Sequence, residues 1–376
     1  MSTLTLFDFT LRNVTLGAAL LGVASGVLGA FALLREQSLL GDTLSHAALP
    51  GVALGFLVAG TRQTVPILAG ALLSGALAAL LIVLLTRRSR LKTDAALGIA
   101  LSVFFALGLV LLTFIQRQNN AGQAGLDAFL FGQAASLLPR DVAVMAVVTL
   151  LALLLVLGLW KEFKAVTFDP GFARSLGFPV LALDIIMTVM IALAIVIGLQ
   201  MVGVVLMASM IIAPAAAARQ WSRTLGQMVT LAALFGALSG VMGALLSATR
   251  RGLATGPLIV IAASAIVLFS LFFAPERGLL WAALQARRDR LTLRSQQVLV
   301  DLFKLSRRHD DPAYGSEIGM IESYYGQNPT QLLKRLERRG LVTPTQHMLE
   351  EGAHWALTPA GYQEAERIIK SFGSPS

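Results

Sequence analysis

The chain has 376 residues, 56% of them hydrophobic and only 14% charged, with no Cys and a formal net charge of +9. Soluble domains carry about 25% charge, so an ordinary soluble enzyme is excluded, and the missing Cys excludes disulfides and thiolate metal ligands. In a soluble protein +9 would suggest nucleic acid; in a membrane protein it reflects Lys and Arg on the cytoplasmic side.

Apolar residues come in runs of the length a bilayer-spanning helix needs. Spans are expected at about 13–34, 39–59, 65–86, 95–115, 141–160, 179–198, 200–218, 225–248 and 257–275, with the division near 199 the weakest. The opening residues lack the basic region and cleavage site of a secretory signal, so the first run reads as a permanent helix. Arg87, Arg88, Arg90 and Lys92 set the cytoplasmic side. Alternation then places Arg35, 161–174, 219–223 and the C-terminus inside and the N-terminus outside, with Arg250 and Arg251 against the rule.

Within the second span, Asp42 and His46 stand four residues apart and project from one helical face. Ionisable groups inside a span are costly and mark pathways or partners. A carboxylate with an imidazole suits Mn, Fe(II) or Zn. Pro50 lacks an N–H and should loosen the helix one turn back, freeing carbonyls near His46. A cap or cross-link near the cytoplasmic face is the competing reading, and the pattern alone leaves both open. Asp184, early in the 179–198 span, is an additional pathway candidate or an interfacial helix-start residue.

The loop 167–179 mixes apolar Phe168, Phe172, Ala173 and Leu176 with Asp169 and Arg174. A short amphipathic helix of this kind can dock into a partner's groove, Pro170 suiting its first turn and Gly177 its end. Gly22, Gly26 and Gly29, and Gly236, Gly240 and Gly243, read as close helix packing.

Composition changes after Pro275: residues 287–376 hold 13 Lys and Arg against 11 Asp and Glu. The expected organisation is a membrane domain over 1–280 and a small cytoplasmic α+β domain over 281–376. Helices are expected at about 293–308, 315–324, 328–339 and 359–371, with strands near 341–345 and 354–357, the order of a winged helix. Its second-last helix would present Gln327, Thr330, Gln331, Lys334, Arg335 and Arg338 to a major groove. A net +2 is low for holding DNA by charge, so a protein-contact or regulatory role leads and DNA is the lesser reading. His309, His347 and His354, with Asp310, Asp311, Glu350 and Glu351, are candidates for a sensory metal site.

The stretch Gly-Asp-Thr-Leu-Ser-His-Ala-Ala-Leu-Pro-Gly-Val-Ala-Leu-Gly at 41–55 resembles the signature of the ABC-3 family of manganese, zinc and iron permeases. Phe-Gly-Gln at 131–133, the segment 167–179, Val202–Ala218 and Thr255–Pro257 agree in order. The resemblance implies an all-α polytopic protein of about eight to nine transmembrane helices in a bacterial cytoplasmic (inner) membrane. It also implies a homo- or heterodimer of permeases with the metal path at its centre. It carries metal ligation onto Asp42 and His46, and ATPase coupling onto Phe168, Asp169, Pro170, Phe172, Ala173 and Gly177. The tail end, Trp355–Ala365, is similar to diphtheria-toxin-repressor-type metalloregulators. That similarity tilts the cargo toward manganese or iron, with zinc the third choice.

The chain has no GxxxxGK[ST] run, so ATP hydrolysis falls to a separate subunit. Metal capture falls to an extracellular receptor. No organic cofactor is expected. Two alternatives stand beside this importer: a membrane-tethered metal-responsive transcriptional regulator, and a secondary transporter driven by protons through Asp42 and Asp184.

Overall fold

The computed structural model describes residues 9–59, 64–117, 132, 137–249, 253–275, 278–309, 311, 314–317, 330–345 and 354–373. The chain divides into two compact units, Met1–Leu279 and Leu280–Ser376.

Among the described residues, the first unit is helical: α1 (Phe9–Leu34), α2 (Leu40–Ala59), α3 (Thr64–Arg88), α4 (Thr93–Gln116), α5 (Pro139–Gly158), α6 (Trp160–Phe168), α7 (Pro170–Ser175), α8 (Val180–Val202), α9 (Val204–Trp221), α10 (Leu225–Ala248) and α11 (Thr255–Phe273). Eight of these are long and apolar enough to cross a bilayer, namely α1 to α5, α8, α10 and α11. The remaining expected span, 200–218, is α9, which has 18 residues, contains Pro214 and ends on Arg219-Gln220-Trp221.

The expected weak division between the sixth and seventh spans is a break of one residue. Gly203 takes φ +90, a conformation that L side chains rarely adopt, and ends α8 as α9 begins. Gly132, at φ +76, lies against this break. A Cβ there would stand 2.4 Å from the Met201 carbonyl oxygen, so only glycine admits the approach.

Small residues set the core. A Cβ on Gly22 would meet the Gly236 carbonyl oxygen at 2.1 Å, and one on Gly236 would meet that of Gly22 at 2.0 Å. Gly26 faces the Ala232 carbonyl and Gly240 that of Ala18 in the same way. Helices α1 and α10 thus pack backbone to backbone, the use of small residues expected where lipid gives no hydrophobic drive to associate.

Helix α2 differs from its expectation. Pro50 sits inside it, yet the helix is unbroken from Leu40 to Ala59. Proline removes the one hydrogen bond to the His46 carbonyl. Neighbouring groups hold the turn: Ser74 Oγ donates to the Ala47 carbonyl at 2.6 Å, and Gly108 of α4 leaves room for the Pro50 ring, whose Cδ lies 3.2 Å from a Cβ built there.

The second unit opens with a single 30-residue helix, α12 (Leu279–Arg308), which joins the helix expected after the 274–278 linker to that expected over 293–308. There follow β1 (Ser316–Glu317), α13 (Thr330–Arg338), β2 (Val342–Thr345), β3 (His354–Leu357) and α14 (Pro359–Gly373). The strands form an antiparallel sheet in the order β1-β3-β2, with Ser316 opposite Trp355 and Val342 opposite Leu357. The helix expected over 315–324 is therefore corrected at 316–317, where pairing with β3 overrides the local pattern; residues 318–324 lie outside the described residues. Val298, Leu302, Phe303, Leu333, Leu336, Trp355, Leu357 and Ile368 form this unit's own core. Gly340, at φ +70, ends α13, and the Leu341 N–H returns to the Leu336 carbonyl at 3.0 Å, as glycine C-caps do.

Candidate functional site

Asp42 falls in the first turn of α2 and His46 in the second. Their spacing brings His46 Nε2 within 3.3 Å of Asp42 Oδ1, with side chains 17% (His46) and 35% (Asp42) exposed. Thr43 Oγ1 donates to the Leu39 carbonyl and across to the Leu97 carbonyl of α4, and Ser45 Oγ donates to the Gly41 carbonyl. These bonds fix the face on which the pair projects. The Phe105 ring of α4 stands edge-on to the imidazole at 4.7 Å between centroids, limiting its rotation. His46 Nδ1 is buried with no hydrogen-bond partner among the described residues. A tautomer with its proton on Nε2 donates to Asp42 and leaves Nδ1 bare, the cheaper orphan. A carboxylate oxygen and an imidazole nitrogen thus converge on one partly open point.

Among the described residues, no group of three or more His, Asp and Glu could hold a metal. As a metal site, the pair alone would supply two of the four to six donors that divalent transition metals take.

Asp184 lies in the first turns of α8 and forms an ion pair with Arg35, Nη1 to Oδ1 at 3.0 Å, with Arg35 8% and Asp184 41% exposed. Arg35 Nε also donates to Thr167 Oγ1 at 3.3 Å. Burial lowers the Arg35 pKa, and the Asp184 carboxylate opposes that shift; a guanidinium stays charged regardless. A cleft of about 200 Å³ opens beside the pair, lined among others by Gln37, Thr86, Thr93 and Thr188. Asp42 and His46 do not line it.

Residues 167–179 form the end of α6, the helix α7 and a turn. Asp169 caps α7, its Oδ1 accepting from the Phe172 N–H at 2.9 Å, Pro170 takes the first position and Gly177 follows at φ +83. Ala173 is buried, whereas Phe168, Phe172 and Leu176 are 62%, 57% and 55% exposed. Phe168 ends α6 ahead of the extended Asp169, and Phe172 and Leu176 lie on and just after α7, so the segment carries a ridge of exposed apolar side chains drawn from both helices. Phe31 of α1 packs between Trp160 and Phe163 of α6, at 6.2 and 6.0 Å.

In the second unit, Gln331, Lys334, Arg335 and Arg338 are exposed on one face of α13, with Leu333 and Leu336 buried behind them; Thr330 is half-buried. Gln327 lies outside the described residues. Of the sensory candidates, His309 stacks on Tyr314 at 4.0 Å and His354 is buried in β3. His347, Asp310, Glu350 and Glu351 lie outside the described residues, as do Arg250 and Arg251.

Sequence reasoning used Arg35 only as an orientation marker and missed its bridge to Thr167 and Asp184. It also missed Phe105 beside His46. A lone Arg at the end of a span was the available signal for the bridge; nothing in the sequence distinguished Phe105 from other apolar residues of α4.

A multi-pass helical membrane unit carrying an acid–imidazole pair and an exposed apolar loop helix is the class these features define. The model of the ABC 3 transport family matches residues 7–274, and the chain belongs to that family. It is 42% identical over 361 residues to the manganese transport system membrane protein MntC of Bacillus subtilis (strain 168), covering 93% of this chain and 82% of that protein. It is 45% identical over 281 residues to the zinc transport system membrane protein TroC of Treponema pallidum (strain Nichols), covering 75% and 94%. Among solved structures, PsaBC from Streptococcus pneumoniae in complex with Fab superposes with a TM-score of 0.63 at 34% identity, covering 72% of this chain and 95% of that one.

Proposed function

We propose that the chain is the permease subunit of an ABC importer for a divalent transition metal, manganese first. ATP would be hydrolysed by a separate subunit and metal delivered by an extracellular receptor protein. The observation that carries this reading is the convergence of His46 Nε2 and Asp42 Oδ1 on one partly open face of α2. Such a pair holds a metal weakly enough to release it, and a second permease, identical or related, would complete the coordination. Only a neutral imidazole ligates a metal, so acidification weakens binding. Manganese is favoured because a manganese-system relative matches along 93% of the chain, tail included; iron and zinc remain outcomes of the test.

The ridge Phe168, Phe172 and Leu176 is assigned to the ATPase, held in shape by Asp169, Pro170, Ala173 and Gly177. The orientation in a bacterial cytoplasmic membrane, with α6–α7 and the C-terminus inside, follows from the basic residues. The second unit is assigned as a winged-helix-like module of regulatory role. Its exposed Gln331, Lys334, Arg335 and Arg338 favour an anionic partner, so DNA contact by these residues and Thr330 is the second reading.

The test is ATP-dependent uptake of radioactive manganese, iron and zinc by the assembled system, comparing wild type with Asp42→Ala and His46→Ala. Loss of uptake in both variants, with normal assembly, supports the site. Survival of uptake in both makes the pair structural. A wild type that moves no metal returns the tail to the centre of the account.

A further inference from the structure

We propose that Arg35 is the positioning residue that passes motion of the ATPase-facing segment to the helix carrying Asp42 and His46. This rests on the importer reading above and extends it to a residue outside both the metal pair and the docking ridge.

Arg35 joins three elements at one point. Nη1 holds Asp184 at the start of α8 at 3.0 Å, Nε holds Thr167 at the end of α6 at 3.3 Å, and the backbone continues the end of α1. Thr167 is two residues before Asp169, the cap of α7. Anything that grips α7 therefore pulls on a side chain bonded directly to Arg35.

The other half of the linkage is backbone. Only Arg35 to Leu39 separate α1 from α2, and Asp42 lies in the first turn of α2. This link is stiff. Glu36 takes φ 58, a left-handed conformation where glycine is usual. The Gln37 N–H returns to the Ala32 carbonyl at 3.0 Å, and the Leu40 N–H to the Gln37 carbonyl at 3.0 Å. A displacement of Arg35 has no slack loop to absorb it and reaches Asp42 seven residues on. Non-glycine residues in that conformation persist where surrounding structure holds them, and they cluster at switch regions. Arg35 also keeps Nη2 buried without a partner among the described residues. Its donor set is thus incompletely used in this conformation, as expected of a joint with a second arrangement.

Asp184 belongs to this clasp and not to the metal path. It is spent on Arg35, and the cleft beside it is not lined by Asp42 or His46.

The experiment uses the whole complex, with ATPase and partner permease, in proteoliposomes supplied with metal-loaded receptor. Metal uptake and ATP hydrolysis are read in the same vesicles for wild type, Arg35→Gln, Arg35→Lys, Thr167→Val and Asp184→Asn. The last two keep side-chain shape and guard against a misfolded Arg35→Gln. The expected result is that the ATPase stays bound and hydrolysis persists, while metal moved per ATP falls about 10-fold in Arg35→Gln and Asp184→Asn. A smaller fall is expected in Thr167→Val, and Arg35→Lys should recover part of the ratio through its remaining charge. An unchanged ratio in Asp184→Asn and Thr167→Val overturns the proposal. So does a parallel loss of hydrolysis and uptake, which marks a structural joint only. Phe172→Ala and His46→Ala run alongside: full uptake in His46→Ala removes only the metal-site assignment and full ATPase binding in Phe172→Ala only the docking assignment, whereas a wild type that moves no metal makes the importer reading fail in its own right.

Discussion

Two acid–base pairs of the membrane unit, alike in chemistry, differ in space. Asp42 and His46 lie four residues apart on one helix, partly open, with contact at 3.3 Å. Arg35 and Asp184 lie 149 residues apart, with the guanidinium 8% exposed and also bonded to Thr167. The first pair joins no separate elements, because its members already share a helix, and so the proposed exchange of its contact for a metal would carry little structural cost. The second fastens three elements, and breaking it leaves a buried cation uncompensated. A ligand pair and a fastening pair are therefore told apart by what each connects, not by its residue types.

The largest effect should come from the first pair. Asp42→Ala or His46→Ala removes one of two donors per chain, and uptake should fall by at least 10–100-fold, the range seen even for outer-shell partners of metal ligands. Normal expression and ATPase binding in both variants would sharpen the comparison, since a fastening role would disturb them.

Next are the glycines that set the frame for both pairs. Gly236→Val would drive a side chain into the Gly22 carbonyl, 2.0 Å from the new Cβ. Overpacking of cores costs about 1–3 kcal/mol, and rigid backbone on the receiving side puts this variant at the upper end. Thermal unfolding in detergent should show a lower midpoint than wild type, with Gly75→Ala, where nothing lies within 4 Å of the added Cβ, unchanged.

A smaller effect is expected at the ridge. Truncating an aromatic anchor at an interface costs more than about 1 kcal/mol, so Phe172→Ala should weaken ATPase binding by roughly fivefold or more in a pull-down titration. Binding of the metal-loaded receptor on the opposite side should be untouched.

The pattern of apolar runs made most of the membrane unit legible. The expected spans fall within a few residues of the observed helices, and Asp42 and His46 were visible because the helical period alone puts them on one face. What stayed hidden depends on neighbours distant in sequence. The Arg35 bridge spans 132 residues to Thr167 and 149 to Asp184, beyond the reach of any periodicity. Pro50 read as loosening the helix one turn back because local rules omit Ser74 and Gly108, which support the turn. Ser316 and Glu317 read as helix because their partner strand lies some 40 residues on, at His354 and Trp355.

The smallest effect is expected in the second unit. Arg338→Ala and Lys334→Ala, on the exposed face of α13, should leave uptake within about twofold, surface changes usually staying within ±0.5 kcal/mol. A titration of the full-length protein in nanodiscs with duplex DNA should show weak, strongly salt-dependent binding if DNA is the partner, and none if the unit contacts protein.

The central claim is that metal in transit touches His46. Pulsed electron paramagnetic resonance of Mn(II) bound to the assembled permease pair measures this directly. A nitrogen coupling from a ligating imidazole, absent in His46→Ala and retained in Arg35→Lys, is the predicted result. Bound Mn(II) with an unchanged nitrogen coupling in His46→Ala would contradict the account.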